Sequence, residues 1–161
     1  MNKLRLLLSM VWLLALSPAF ANEPYMEFQL SYLTAEVGDE ELHPSMLSAN
    51  FGYPVFKYMG VEIVLGAGLS GDEFKVKTLV GAYINASLPI SYNFDIFARA
   101  GFSSVSWEYV TSGSDMGASF GLGLGLLVSE NSSITFEFRT LPKLNDGEIT
   151  LNAIMLGWKY K

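Results

Sequence analysis

Four groups of residues carry types and spacings that could do chemistry. The single histidine lies in His43-Pro44-Ser45, where an imidazole two residues from a hydroxyl could act as its general base if a carboxylate oriented the ring. Pro44 stands between the two and the motif falls in a loop, so a solvated histidine is the plainer reading. Glycines at 121, 123 and 125 lack the G-x-G-x-x-G spacing of a phosphate loop and open no helix. They are expected to leave room for neighbouring side chains. Glu36, Asp39, Glu40 and Glu41, with Asp72 and Glu73 further on, offer hard oxygen ligands for a divalent cation, which could in turn bridge to phosphate groups nearby. They lack the spacing of an EF-hand loop, and a solvated acidic surface is the plainer expectation. The fourth group is Glu27, Glu62, Arg99, Glu137, Arg139 and Lys159, charges set singly among alternating residues.

The elements that position these groups read as strands. From Tyr25 onward polarity alternates with a period of two, which puts successive side chains on opposite faces. Met26, Phe28, Leu30 and Tyr32 alternate with Glu27, Gln29 and Ser31; Leu122, Leu124 and Leu126 alternate with Gly121, Gly123 and Gly125. Eight such runs fill the chain to its end. Tight links at 57–60, 89–93 and 129–132 alternate with longer ones at 38–44, 70–75, 108–117 and 140–148.

Ahead of the runs, Lys3 and Arg5 precede an apolar stretch ending at Leu16, then Ala19-Phe20-Ala21. This predicts a signal peptide over 1–21, cleaved before a single domain at 22–161. The leader holds two of the ten Lys and Arg and none of the sixteen Asp and Glu, which leaves a net charge of −8 beyond it. So acidic a chain argues against nucleic acid as a partner. There is no cysteine, so neither a disulfide nor a lipoprotein anchor is available. No cofactor is expected.

A soluble eight-stranded barrel would alternate too, but with a charged outer face. Here the less apolar face is rich in Gly and Ser, which suits a narrow lumen, and the apolar face suits lipid. Tyr53, Phe56, Phe94, Trp107, Tyr109, Trp158 and Tyr160 near run ends are expected to form interfacial girdles. Free sheet edges in hydrocarbon would leave backbone groups unpaired at several kcal/mol each, so the first run must pair with the last. The expected fold is all-β: an eight-stranded antiparallel up-and-down transmembrane β-barrel. Closure places Glu27 beside Lys159, where an ion pair is expected. Arg99 and Glu137 are expected to pair across the inward glycines, joined by Glu62 or Arg139. Tyr83, Phe97 and Met155 are expected to fill the lumen with them.

The segments 90–101 (ISYNFDIFARAG) and 121–139 (GLGLGLLVSENSSITFEFR), and the ending Gly157-Trp158-Lys159-Tyr160, resemble the outer-membrane β-barrel domain family, which includes the transmembrane domain of outer-membrane protein A and the outer-membrane protein X type. The resemblance covers the whole chain beyond the leader. It implies residence in the bacterial outer membrane among lipid and lipopolysaccharide, and insertion by the outer-membrane assembly machinery. Gly157, Trp158 and Tyr160 stand for the assembly signal, although the family's usual terminal aromatic is followed here by Lys161. The implied roles run from structural support to contact with a host or surface ligand through the loops. A small passive channel is the alternative. A lipid A-modifying enzyme using His43 and Ser45 is a further one, disfavoured because enzymes of that kind carry the motif late in the chain.

Overall fold

The computed structural model describes residues 23–70 and 74–161. The expected leader, Asp72 and Glu73 lie outside the described residues. The strands are β1 (Tyr25–Val37), β2 (Glu40–Leu42), β3 (Ser45–Phe56), β4 (Met59–Ser70), β5 (Lys75–Pro89), β6 (Phe94–Glu108), β7 (Ser112–Ser129), β8 (Ser132–Thr140) and β9 (Ile149–Tyr160). All but β2 form the barrel wall. Each wall strand pairs antiparallel with the next, and β1 closes on β9 through an unbroken register from Met26–Tyr160 to Val37–Ile149. The short β2 folds back on the end of β1.

At one end, here called lower, lie the tight turns 57–58, 90–93 and 130–131. At the upper end lie 38–44, Phe74 ahead of β5, 109–111 and 141–148. The expected long loop at 108–117 is instead a strand extension. Its small residues continue the ladder, with Gly113 opposite Trp107 and Asp115 opposite Val105. Gly113 belongs there because a Cβ would come within 2.8 Å of the Trp107 ring.

Outward side chains form an apolar belt. On β6 it runs from Phe94 through Ile96, Ala98 and Ala100 to Phe102, which is 66% exposed. Those nine residues, at about 3.3 Å each and a tilt of about 40°, rise about 23 Å, close to the apolar band of an outer-membrane barrel. Above the belt the outward positions turn polar: Ser104, Ser106 and Glu108 on β6, Thr34 and Glu36 on β1, Asn152 and Thr150 on β9.

Inside, the order is reversed. The lower lumen holds charged and polar groups, and the upper lumen holds Leu33, Ala35, Val64, Phe74, Leu79, Val105, Leu151 and their neighbours. Two expectations fail at this boundary. Trp107 is no girdle residue: it continues the inward parity of Arg99 and Ser103 and is 4% exposed, and Tyr109 packs half-buried against the same cluster. Val76, which strict alternation with Val80, Ala82 and Ile84 would put on the lipid face, is buried because a bulge between Val76 and Thr78 shifts the parity of β5.

Candidate functional site

The lumen is built from inward residues of neighbouring strands, and its lower half is organised around Arg99. The Arg99 guanidinium donates from Nε to Glu62 Oε2 at 2.6 Å, from Nη2 to Glu27 Oε2 at 2.5 Å, and from Nη1 to Glu137. All four side chains are fully buried. Glu137 also accepts from Arg139 Nε at 2.7 Å and from Gln29 Nε2 at 2.9 Å. Arg99 lies over the Phe97 ring at 4.5 Å and Arg139 over the Tyr83 ring at 4.9 Å. With Lys159, three cations balance three carboxylates. That balance matters, because a buried charge without its partner is far costlier than the pair.

Small and polar neighbours complete the layer. Asn50 donates to Glu27 at 3.2 Å and Thr135 to its other oxygen, while Tyr25 and Asn85 donate to Glu62. Gly121 sits between Arg99 and Arg139 in the register, and a Cβ there would lie 2.1 Å from Glu137 Oε1. Gly123 makes the same room for Phe97, and Gly157 for Thr135 and Glu27. These glycines are space for the layer, with no phosphate-loop geometry.

Glu27 and Lys159 are opposite one another, yet no ion pair joins them among the described residues. Arg99, Asn50 and Thr135 already occupy the Glu27 oxygens. The Lys159 ammonium instead lies over the rings of Tyr25 at 4.7 Å and Phe97 at 5.3 Å. Below it a cavity of about 400 Å³ opens at the lower end, lined by Tyr25, Asn85, Asp95 and Lys159 among others.

The upper half is an apolar plug that the strand alternation alone does not announce. Leu141 and Leu144, from the segment between β8 and β9, turn into the mouth and are 2% and 0% exposed. Phe74 stacks on Trp107 at 6.2 Å between centroids. Backbone bonds between Leu144 and Ile149 pin the segment, and Asp115 ties it to the wall by accepting from Trp107 Nε1 at 2.7 Å and Asn145 N–H at 3.1 Å. Tyr83 and Met155 are buried where the two halves meet. At that seam the hydroxyls of Ser31, Ser48 and Ser103 find no hydrogen-bond partner among the described residues.

The other candidates lie at the surface. His43 is exposed and stacks on the outward Tyr32 at 5.3 Å. Asp39, Glu40 and Glu41 are exposed on the β1–β3 connection, and no acidic or histidine cluster among the described residues has the arrangement to hold a metal ion. Trp158 and Tyr160 face outward on β9, alternating with Gly157 and Lys159. The inward parity of Val105, Trp107, Leu151 and Ile149 was the signal for the plug. It is legible only once the lumenal face has been assigned.

Among solved structures the chain resembles neisserial surface protein A, with a TM-score of 0.66 at 12% identity over 86% of this chain and 96% of that one. It also resembles Ail, the attachment invasion locus protein of Yersinia pestis, with a TM-score of 0.63 at 15% identity over 85% and 96%. A third is the N-terminal β-barrel domain of OprF from Pseudomonas aeruginosa, with a TM-score of 0.56 at 14% identity over 83% and 96%. At such identities the likeness is one of fold. No curated protein matches by sequence. The model of the outer membrane protein beta-barrel domain matches residues 5–161, and the chain belongs to that family.

Proposed function

We propose that this outer-membrane barrel serves a structural or surface-interaction role through its upper end and is not an open pore. The observation that carries this is the double closure of the lumen: an ionic layer around Arg99 below, and the Leu141–Trp107 plug above. An eight-stranded barrel is only wide enough for its interior to be filled by side chains, and here both layers are filled. Short turns on the periplasmic side and longer connections outside the cell are the rule for such barrels. That rule makes the upper end extracellular. The exposed acidic residues of the β1–β3 connection then face the medium, and Lys75 and Lys143 stand where they could touch lipopolysaccharide phosphates. Insertion by the assembly machinery would read Gly157, Trp158 and Tyr160 at the end of β9. Catalysis by His43 has little support, since its ring is engaged with Tyr32.

Two measurements test this reading. In a planar bilayer the purified chain should give no large, steady single-channel conductance. Cells carrying a deletion within 38–44 should lose surface adhesion or serum survival while envelope permeability is unchanged. Steady conductance, or a permeability defect alone, would favour the passive channel.

A further inference from the structure

The two mouths of the barrel are finished differently. The upper one is plugged by Leu141, Leu144, Phe74 and Trp107, whereas the inward positions around the lower one are small: Gly52, Gly60, Ser87, Gly125 and Ser133. The larger side chains there lean aside over the glycines of a neighbouring strand. Tyr25 lies across Gly52, where a Cβ would come within 2.1 Å of its ring, and Asp95 lies across Gly125, where a Cβ would come within 2.1 Å of its carboxylate. The middle of the mouth is left open as the cavity of about 400 Å³. That volume is within the range of small-molecule sites, and the ionic layer around Arg99 closes the cavity from above.

Two opposite charges line this cup with no ion-pair partner among the described residues: Lys159 near the end of β9, and Asp95 at the start of β6. Lys159 is 7% exposed and rests on the rings of Tyr25 and Phe97, contacts that leave its N–H donors without an acceptor. Asp95 accepts from Ser87 Oγ at 2.7 Å, which leaves most of its acceptor capacity open. The side-chain oxygen of Asn85, in the same lining, has no donor among the described residues. Buried polar groups left unmet are costly, and their complement is an anionic group at Lys159 with a cationic donor at Asp95 and Asn85. The balance of charge favours both on one molecule. Across the lower lumen Glu27, Glu62, Glu137 and Asp95 stand against Arg99, Arg139 and Lys159, so a simple anion adds to an existing excess of carboxylate and a simple cation leaves Lys159 unmet. A zwitterion answers both groups without changing the net charge. Tyr58, Tyr92 and Phe94 at the rim offer rings to an apolar side chain.

We infer that the lower cup binds a small aminocarboxylate zwitterion, an amino acid or dipeptide, with its carboxylate on Lys159 and its ammonium on Asp95 and Asn85. The ionic layer stops the ligand at that end, so the cup is a binding site and not a stage of a passage. Arrival of the ligand from the periplasm rests on the orientation proposed above; binding itself does not.

The test uses the whole chain in lipid nanodiscs, where both ends meet solvent, and follows backbone amide chemical shifts. The probe is phenylalanine, with N-acetylphenylalanine and phenylalaninamide as controls that each keep one charge. Phenylalanine should shift the amides of Asp95 and Lys159 saturably and leave those of Leu144 and Leu151 in place. Each control should bind about tenfold more weakly, the effect of losing one charge-assisted contact. Asp95→Asn, which keeps an acceptor for Ser87, and Lys159→Met should each weaken phenylalanine binding by about the same factor in barrels that keep their heat-modifiable gel mobility. Asp95→Asn carries the test by itself if Lys159→Met does not fold. Absence of a saturable shift at Asp95 and Lys159, equal binding of either control, or undiminished binding by Asp95→Asn would overturn the inference. None of these outcomes depends on the bilayer conductance that tests the closed lumen.

Discussion

Along β6 the outward side chains run Phe94, Ile96, Ala98, Ala100, Phe102 and then Ser104, Ser106, Glu108, while the inward ones run Asp95, Phe97, Arg99, Gly101, Ser103 and then Val105, Trp107. The lower half is apolar outside and largely polar within; the upper half is polar outside and apolar within. Strand β1 makes the same exchange between Tyr32 and Leu33, and β9 makes it between Ile154 and Asn152. The backbone ladder is continuous through the change, so the strands themselves do not dictate it. Each half obeys the medium it meets. Where lipid covers the wall, hydrophobic burial occurs outside and the lumen must be held by hydrogen bonds and ion pairs. Where water covers the wall, the lumen becomes an ordinary core, driven by the removal of apolar surface from water.

The largest effect is expected at Arg99. Arg99→Met would leave Glu27, Glu62 and Glu137 facing one another, and unfolding in detergent should show a loss of about 3–5 kcal/mol, the size expected when one partner of a buried ion pair is removed. Glu137→Gln should also destabilise, and combined with Arg99→Met it should cost less than the sum of the two. Additive losses would mean that the lower layer is not a coupled network.

Leu144→Ala tests the upper half, where no charge is stranded and the segment can partly collapse. The expected loss is about 2 kcal/mol, at the low end for a buried leucine. It should appear as faster amide exchange at Leu151 and Val105, with the lower strands unaffected. Gly121→Ala places a Cβ 2.1 Å from Glu137 Oε1, so the carboxylate must shift. Overpacking of this kind costs about 1–3 kcal/mol, and full stability of the variant would show the layer to be looser than its glycines imply.

The smallest effect belongs to the exposed pair above the belt, where Lys77 Nζ meets Glu108 at 2.8 Å. The hydrogen bond and charge of Lys77 hold the Glu108 carboxyl below its ordinary value. A carboxyl lowered in the folded state stabilises above its unfolded pKa and loses that contribution as pH falls through the folded one. Solvent and salt screen so exposed a pair. Lys77→Ala should therefore leave the unfolding midpoint unchanged within error at neutral and acidic pH alike.

Much of this architecture was legible in the sequence because lipid imposes a strict alternation. Met26 to Tyr32 and Leu122 to Leu126 could sit on only one face, and closure then placed Glu27 opposite Lys159. What the alternation could not show was where its meaning changes. Trp107 at a strand end looks the same as a girdle aromatic until the parity of Arg99 and Ser103 is carried up the strand. The bulge at Val76–Thr78 shifts a face by a local backbone irregularity that no polarity pattern marks. Leu141 and Leu144 lie in a connection with no period, so their burial depends on a tertiary packing partner, Trp107 with Phe74. Within the ionic layer the charges could be identified as inward, but which oxygen meets which nitrogen depends on three-dimensional reach. Arg99 spans three carboxylates, and Lys159 settles on aromatic rings.

The exchange of inside and outside should mark the outer limit of the lipid. The chain has no cysteine, so single-cysteine variants report cleanly. On intact cells, a membrane-impermeant maleimide should label Ser106→Cys, which faces outward above the belt, and should fail to label Ala100→Cys, which faces outward within it. Labelling of Ala100→Cys, or protection of Ser106→Cys, would place the lipid boundary elsewhere and separate it from the exchange of faces.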